Sequence, residues 1–149
     1  MLHIRVTPDP TATWTAQQIR EAFPFDVAPR YLLHDNDAIY GREFSRAVKN
    51  MGIKEVRTAK RAPWQSPYVE RMIGSIRREC SDHVIPLSER HLEMVLTNCQ
   101  RHYNGSRTHL GLAKDSPEPG EVEPPEKGAE IVAISHLGGL HHCYTRKAA

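Results

Sequence analysis

A chain of 149 residues with a formal net charge of +2 can bury one moderate core, although its last thirty-five residues are too polar and proline-rich to add much to it. Cys80, Cys99 and Cys143 are odd in number, widely spaced and lack a C-x-x-C unit, which argues against a disulfide framework and fits a reducing, cytoplasmic setting. Met1 to Val6 is too soon interrupted by Pro8 and Pro10 for a signal peptide, and no apolar run nears the roughly eighteen residues of a membrane span, so a soluble, unexported protein is expected.

From the start, Leu2, Ile4 and Val6 alternate with His3, Arg5 and Thr7, which predicts a short strand with one buried face. Pro8-Asp9-Pro10 turns the chain. Thr15 with Gln18 three residues on reads as a capping box, with Trp14 placed to staple onto Ile19, so a helix is predicted from Ala16 to Pro24. Arg30-Tyr31-Leu32-Leu33-His34 is nearly continuous and apolar, the pattern of a strand buried on both faces, and Asp35 falls at its carboxyl end. Phe44, Ala47, Val48 and Met51 then follow helical spacing, Gly52 is placed to close that helix, and Ile53 to Thr58 reads as a short basic edge strand.

A loop over Ala59 to Gln65 leads to Ser66 as N-cap and Pro67 at the first helical position. Val69, Met72, Ile73, Ile76 and Cys80 make one apolar stripe of that helix, while Glu70, Gly74 and Arg77 share its exposed side. A second long helix is predicted from near Ser88 to about Tyr103, with Leu92, Val95, Leu96, Cys99 and Tyr103 facing the core. Past Asp115, Pro117, Pro119, Pro124, Pro125 and many acids read as an extended linker, and Ile131 to Tyr144 as a short hairpin around Gly138-Gly139. The expected organisation is a working domain over 1–114 and a proline-rich acidic segment over 115–149.

Charge is unevenly spread. Lys54, Arg57, Lys60, Arg61, Arg71, Arg77 and Arg78 face only Glu55 and Glu70, whereas Asp115, Glu118, Glu121, Glu123, Glu126 and Glu130 face only Lys127. The two carboxylates with a chemical reading are Asp35, ending an apolar strand, and Glu70, in the first turn of a basic helix. Brought together, such a pair can hold divalent metal ions against a phosphodiester. Plainer readings stand beside this one. Among eighteen acids some pair falls at this separation by chance; Asp35 can simply begin a turn, and Glu70 can gain about 0.3–1 kcal/mol from the helix dipole. Arg77 and Arg78 can be a solvated face, and Trp64 either a packed loop anchor or a base-stacking platform. His141-His142-Cys143 invites a zinc reading but lacks a second ligand pair, and His109 and Tyr103 read as a packed helix terminus.

His34-Asp35-Asn36-Asp37-Ala38-Ile39-Tyr40 resembles the second-acid motif of the retroviral-type integrase and transposase superfamily, the DDE recombinases, in which an aromatic follows the Asp by five residues. Ala62-Pro63-Trp64-Gln65-Ser66-Pro67-Tyr68-Val69-Glu70-Arg71 and its continuation to Glu79 resemble the third-acid helix of the bacterial insertion-sequence branch, with Glu70 at the acid position. His102-Tyr103-Asn104-Gly105-Ser106-Arg107-Thr108-His109-Leu110 resembles the signature that ends these cores, with Ser116-Pro117 where Thr-Pro is customary. Asp37 stands where a small Gly is usual near the acid. The likeness spans roughly Leu2 to Pro117.

The resemblance implies an α/β, ribonuclease H-like mixed sheet flanked by helices, here without its first two strands and the first catalytic Asp, because only thirty-four residues precede Asp35. Asp9, in a Pro-Asp-Pro turn, and Asp26, in a loop, are poor substitutes. It implies metal-dependent DNA strand cleavage and transfer, with Asp35 and Glu70 as catalytic metal ligands for Mg²⁺ or Mn²⁺, and oxygen donors suit such hard cations. Lys60, Arg61, Arg71, Arg77 and Arg78 would contact phosphates of double-stranded DNA. As an isolated chain the fragment is expected to be inactive, acting with further copies of itself or a full-length transposase. The alternatives are a non-catalytic DNA-binding or assembly partner, and a remnant without function.

Overall fold

Thr11, not Thr15, starts the first helix. In the computed structural model, which describes residues 3–24, 27–120 and 129–147, α1 runs Ala12–Ala22 and the Thr11 hydroxyl accepts the Trp14 backbone N–H at 3.2 Å. Thr15 lies inside the helix, its hydroxyl donating to the Thr11 carbonyl at 2.9 Å, so the cap sits one turn earlier than the capping-box pattern suggests. The helix ends before Pro24 as expected.

Residues 3–7 form no strand. A strand needs a ladder partner, and none pairs with this segment among the described residues; His3 bonds instead to the Gln18 side chain of α1, at 2.9 Å. Leu2 and Asp26 lie outside the described residues. β1 (Tyr31–His34) and β2 (Lys54–Arg57) pair in parallel, from Tyr31 opposite Lys54 to His34 opposite Arg57. Between them α2 (Arg42–Asn50) buries Phe44, Ala47 and Val48, and Gly52, at φ +72°, takes the left-handed conformation that releases the chain into β2. Ala16, Phe44, Ala47, Val48 and Ile53 form the core, with Ile19, Leu32 and Tyr40 against it. The helices cover one face of the sheet only. Leu32 and His34 point inward, while Tyr31 and Leu33 are exposed, which corrects the expectation of a strand buried on both faces.

α3 (Pro67–Glu79) has Pro67 at its first position. The chain divides into two compact units, Leu2–Ser75 and Ile76–Ala149, and the boundary falls within this helix. Its apolar stripe is not a continuous core face. Val69 is 52% and Ile73 47% exposed, while Ile76 and Cys80, in the second unit, pack into a core.

In that second unit α4 (Glu89–Gly105) begins where the Ser88 hydroxyl accepts the His91 N–H at 3.1 Å. Cys80, Val95 and Cys99 are buried together, with Ile76, Val84 and Leu137 packed on them. β3 (Glu130–His136) and β4 (His141–Lys147) form the anticipated antiparallel hairpin, reversing through Leu137, Gly138 and Gly139 at φ +52°, +68° and +95°. Contrary to expectation, the C-terminal residues do contribute to packing. Leu137 joins the core, and the His141 ring donates from Nε2 to the Glu79 carbonyl at 2.7 Å. Of the acidic linker, Glu121, Glu123, Pro124, Pro125, Glu126 and Lys127 lie outside the described residues. Among the described residues the fold is thus mixed α/β with two small sheets, and no helix is long and apolar enough to cross a membrane.

Candidate nucleic-acid interface

Parallel pairing sets the geometry of the first unit: β1 and β2 run the same way, so the segments that follow them leave from the same end of the sheet. Asp35 follows β1 directly. Asp35 Oδ1 accepts the Asp37 N–H at 3.1 Å, and Asp37 Oδ1 accepts the Ile39 N–H at 3.1 Å, so two consecutive side-chain turns fold the acid loop. The reversal brings Tyr40 back onto the strand, its ring 4.5 Å from that of His34 and 5.0 Å from that of Phe44. Burial pushes the Tyr40 hydroxyl above its ordinary range, and the nearby Asp35 and Asp37 carboxylates push it further. The five-residue interval from acid to aromatic therefore has a packing reason.

A chain of hydrogen bonds leads from this loop towards α3. The Thr58 N–H donates to the His34 carbonyl at 2.9 Å, and the Asn36 side-chain amide donates to the Thr58 carbonyl. One residue on, the Ala59 N–H donates to Gln65 Oε1 at 2.6 Å. Gln65 immediately precedes Ser66 and Pro67, so the turn before α3 is braced to the end of β2, and the end of β2 to the Asp35 loop. Glu70 lies in the first turn of α3, exposed, its N–H bonded to the Ser66 carbonyl at 3.1 Å.

Behind the acid loop lies a polar cluster that the sequence reading missed. His34 is 7% exposed, its Nδ1 2.6 Å from the Asp35 carbonyl oxygen and its Nε2 2.8 Å from Glu55 Oε1. Glu55 Oε1 also accepts from Ser45 Oγ at 3.0 Å and Arg57 Nε at 2.9 Å. Burial alone would raise the Glu55 carboxyl, but these bonds from His34, Arg57 and Ser45 outweigh it and hold the group below its ordinary range. A signal was available: His34 occupies an inward position of β1, where a polar side chain must find partners.

The basic residues are all solvent-facing. Lys60 and Arg61 stand in the turn after β2, with Arg61 at φ +56°, a left-handed backbone that costs a non-glycine residue about 1–2 kcal/mol. Arg71 is exposed in α3, and Arg77 and Arg78 occupy its last turn, in the second unit, where the Arg77 guanidinium is 4.0 Å from Asp82. Trp64 and Tyr68 are 73% and 86% exposed, so Trp64 is not the packed anchor that was one of its two readings.

No set of three or more His, Cys, Asp or Glu side chains among the described residues is grouped to hold a metal ion. Asp35 and Glu70 carry oxygen donors of the kind that Mg²⁺ favours, but two carboxylates alone would fall short of a closed site. The zinc reading of His141-His142-Cys143 fails on geometry in the second unit. His142 is exposed, and the rings of His102 and His141 stack at 4.5 Å and 5°, so their in-plane lone pairs run side by side rather than towards one ion. Tyr103, Arg107 and His109 form a packed helix terminus: the Tyr103 and His109 rings are 4.7 Å apart, and Arg107 makes two bonds of 2.7 Å to Glu79.

Comparison with known proteins adds one match. Residues 51–117, a little under half of the chain, match the family model described as integrase core domain. That span contains Lys60, Arg61, Glu70, Arg71, Arg77 and Arg78, and leaves Asp35 outside it. Neither a curated protein nor a solved structure matches the chain.

Proposed function

We propose, from the premise that residues 51–117 belong to the integrase core domain family, that this chain is part of an integrase or transposase catalytic core that engages double-stranded DNA. Asp35 and Glu70 are its two metal-facing acids, for Mg²⁺ or Mn²⁺. The observation that carries the reading is the hydrogen-bond chain from the Asp35 loop through Thr58 and Ala59 to Gln65, which braces the approach to α3 against the acid loop within one unit. Domain limits of 1–114 for the core segment and 115–149 for the remainder belong to the same proposal, as does a ribonuclease H-like sheet completed by strands outside the parallel pair. Lys60, Arg61 and Arg71, and Arg77 and Arg78 on the following unit, neutralise phosphates and position the duplex without reading its sequence.

On this reading Asp35 and Glu70 stand for two of the family's three acids. By itself the chain binds duplex and does not nick it, and a third carboxylate must come from another copy, a full-length transposase or sequence beyond these 149 residues. The competing reading, a non-catalytic DNA-binding or assembly partner, shares the basic turn and helix and dispenses with the acids. Titration of a labelled duplex over a salt series, with and without Mn²⁺, tests both. Binding should weaken linearly in log salt, and replacing Arg71 by Ala should lower the slope by about 0.9 if one phosphate contact is lost. Mn²⁺ should tighten binding in the parent chain and lose that effect in Asp35→Asn and Glu70→Gln; an equal Mn²⁺ effect in both variants favours the non-catalytic partner. Absence of duplex binding even at low salt sinks the proposal.

A further inference from the structure

We infer that Cys143 and His136 form a thiol–imidazole pair that exchanges with small peptide disulfides, so that the β3–β4 hairpin carries a reversible S-thiolation site. The pair lies within the second unit and uses none of the acids and cations proposed to meet DNA. Strand register places it. His136 stands opposite His141 and Cys143 opposite Ile134, so His136 and Cys143 are diagonal neighbours on one face of the hairpin. His136 Nε2 lies 3.1 Å from Cys143 Sγ, close enough for the ring to take the thiol proton. Along β4, half-buried His141, Cys143 and Thr145 alternate with exposed His142, Tyr144 and Arg146. The sulfur is thus open to a small reagent in part, on the face where His141 stacks on His102 and bonds the Glu79 carbonyl.

A further polar atom stands beside the pair. His102 is 9% exposed, its Nδ1 is buried with no hydrogen-bond partner among the described residues, and its ring centre is 5.7 Å from that of His136. Buried polar atoms ordinarily have partners. The amides and carboxylates of a peptide disulfide can supply one, which favours that co-reactant over a bare peroxide. The other two thiols are differently placed. Cys80 is 0% and Cys99 5% exposed, they hydrogen-bond each other, and burial pushes both up, Cys99 to about 12. Buried thiols of that kind are inert. In the exchange, His136 Nε2 takes the Cys143 proton as Sγ attacks one sulfur of the disulfide. A new S–S bond forms to Cys143, the old S–S bond breaks, and the departing thiolate receives the proton. One disulfide is consumed and one formed, so excess small thiol reverses the reaction.

The test incubates the full reduced chain with oxidised glutathione and follows each cysteine by peptide mass spectrometry, in buffer and again after unfolding in urea. Cys143 should be thiolated faster in the folded chain than in the unfolded one, Cys80 and Cys99 only in the unfolded one, and excess reduced glutathione should strip the adduct. A free thiol is only a few per cent thiolate near pH 7, so complete base assistance is worth at most about thirtyfold. His136→Gln should therefore slow the folded reaction by about tenfold and make its rate climb about tenfold per pH unit, as hydroxide replaces the ring. Cys143→Ser should abolish thiolation of the folded chain, and far-UV circular dichroism checks the fold of each variant. A folded rate at or below the unfolded rate, or a rate and pH slope that His136→Gln leaves unchanged, overturns the inference. A faster reaction in His136→Gln overturns it as well, because the ring would then only cover the sulfur. A Cys143-linked dimer as the main product overturns it in favour of a contact between copies.

Discussion

Glu79 and Arg107 show how one pair sets a pH limit. Arg107 donates two bonds of 2.7 Å to the two Glu79 oxygens, with each side chain about a quarter exposed. Those bonds hold the Glu79 carboxyl below its ordinary 4.5 against burial, with the Arg107 charge adding to them. The pair therefore stabilises fully above about pH 4.5 and loses that contribution as pH falls through the lower folded value. Glu79→Gln should cost about 1.5 kcal/mol at neutral pH, the low end for a charged bond because of partial exposure, and should flatten the acid limb of a melting-temperature series. His102 works in the opposite part of the scale. Burial, and then its neighbours His141 and His136, hold its ring below the usual 6.5, and its Nδ1 is buried without a hydrogen-bond partner among the described residues. The unfolded chain takes that proton more readily, so the neutral ring's contribution is complete above pH 6.5 and falls as pH drops from there. His102→Phe should remove this mildly acidic slope without a large loss at pH 8; an unchanged slope would transfer the effect to His136 or His141.

Among the elements, α1 gives the sharpest lesson in what the sequence can and cannot place. Both Thr11 and Thr15 are chemically able to cap, and Gln18 three residues after Thr15 favours the wrong one; only the Thr11 bond to Trp14 distinguishes them. Thr11→Ala is therefore expected to cost about 1 kcal/mol in denaturant unfolding and Thr15→Ala clearly less, since the Thr15 hydroxyl bonds a carbonyl already used by the helix. In α2, by contrast, Phe44, Ala47 and Val48 at helical spacing and Gly52 after them were sufficient, because periodicity and a left-handed exit are local properties. Phe44, 2% exposed, anchors the first unit, and Phe44→Ala should cost about 3–5 kcal/mol. Residues 3–7 and the apolar stripe of α3 misled for one reason: alternation and stripes report a capacity for burial, while burial itself needs a partner elsewhere in the chain. Asp35 and Glu70 enter as candidates through their motifs alone. The His34 and Glu55 cluster was not legible in the sequence, because its members come from different elements and carry no shared spacing.

Net charge at the scale of the whole molecule hides two opposing blocks. The formal total is only +2, yet the span from Lys54 to Arg78 is strongly basic and that from Asp115 to Glu130 strongly acidic. A polyanion approaching the chain meets both fields. At about 0.01 M salt the screening length is roughly 30 Å, so the acids would act from a distance on a duplex bound as proposed; at 1 M it is roughly 3 Å and they would act only on contact. Changing Glu121, Glu123 and Glu126 together to Gln raises the net charge from +2 to +5 without touching the described residues. Cutting away residues 115–149 would be a poorer experiment, because it also removes Leu137 from the core and His141 from the Glu79 carbonyl. The triple substitution should tighten duplex binding several-fold at low salt and leave it unchanged at high salt, steepening the dependence of log affinity on log salt. An equal gain at all salt concentrations would mean that these acids contact the proposed DNA-binding surface directly; no gain at any salt would mean that their field does not reach it.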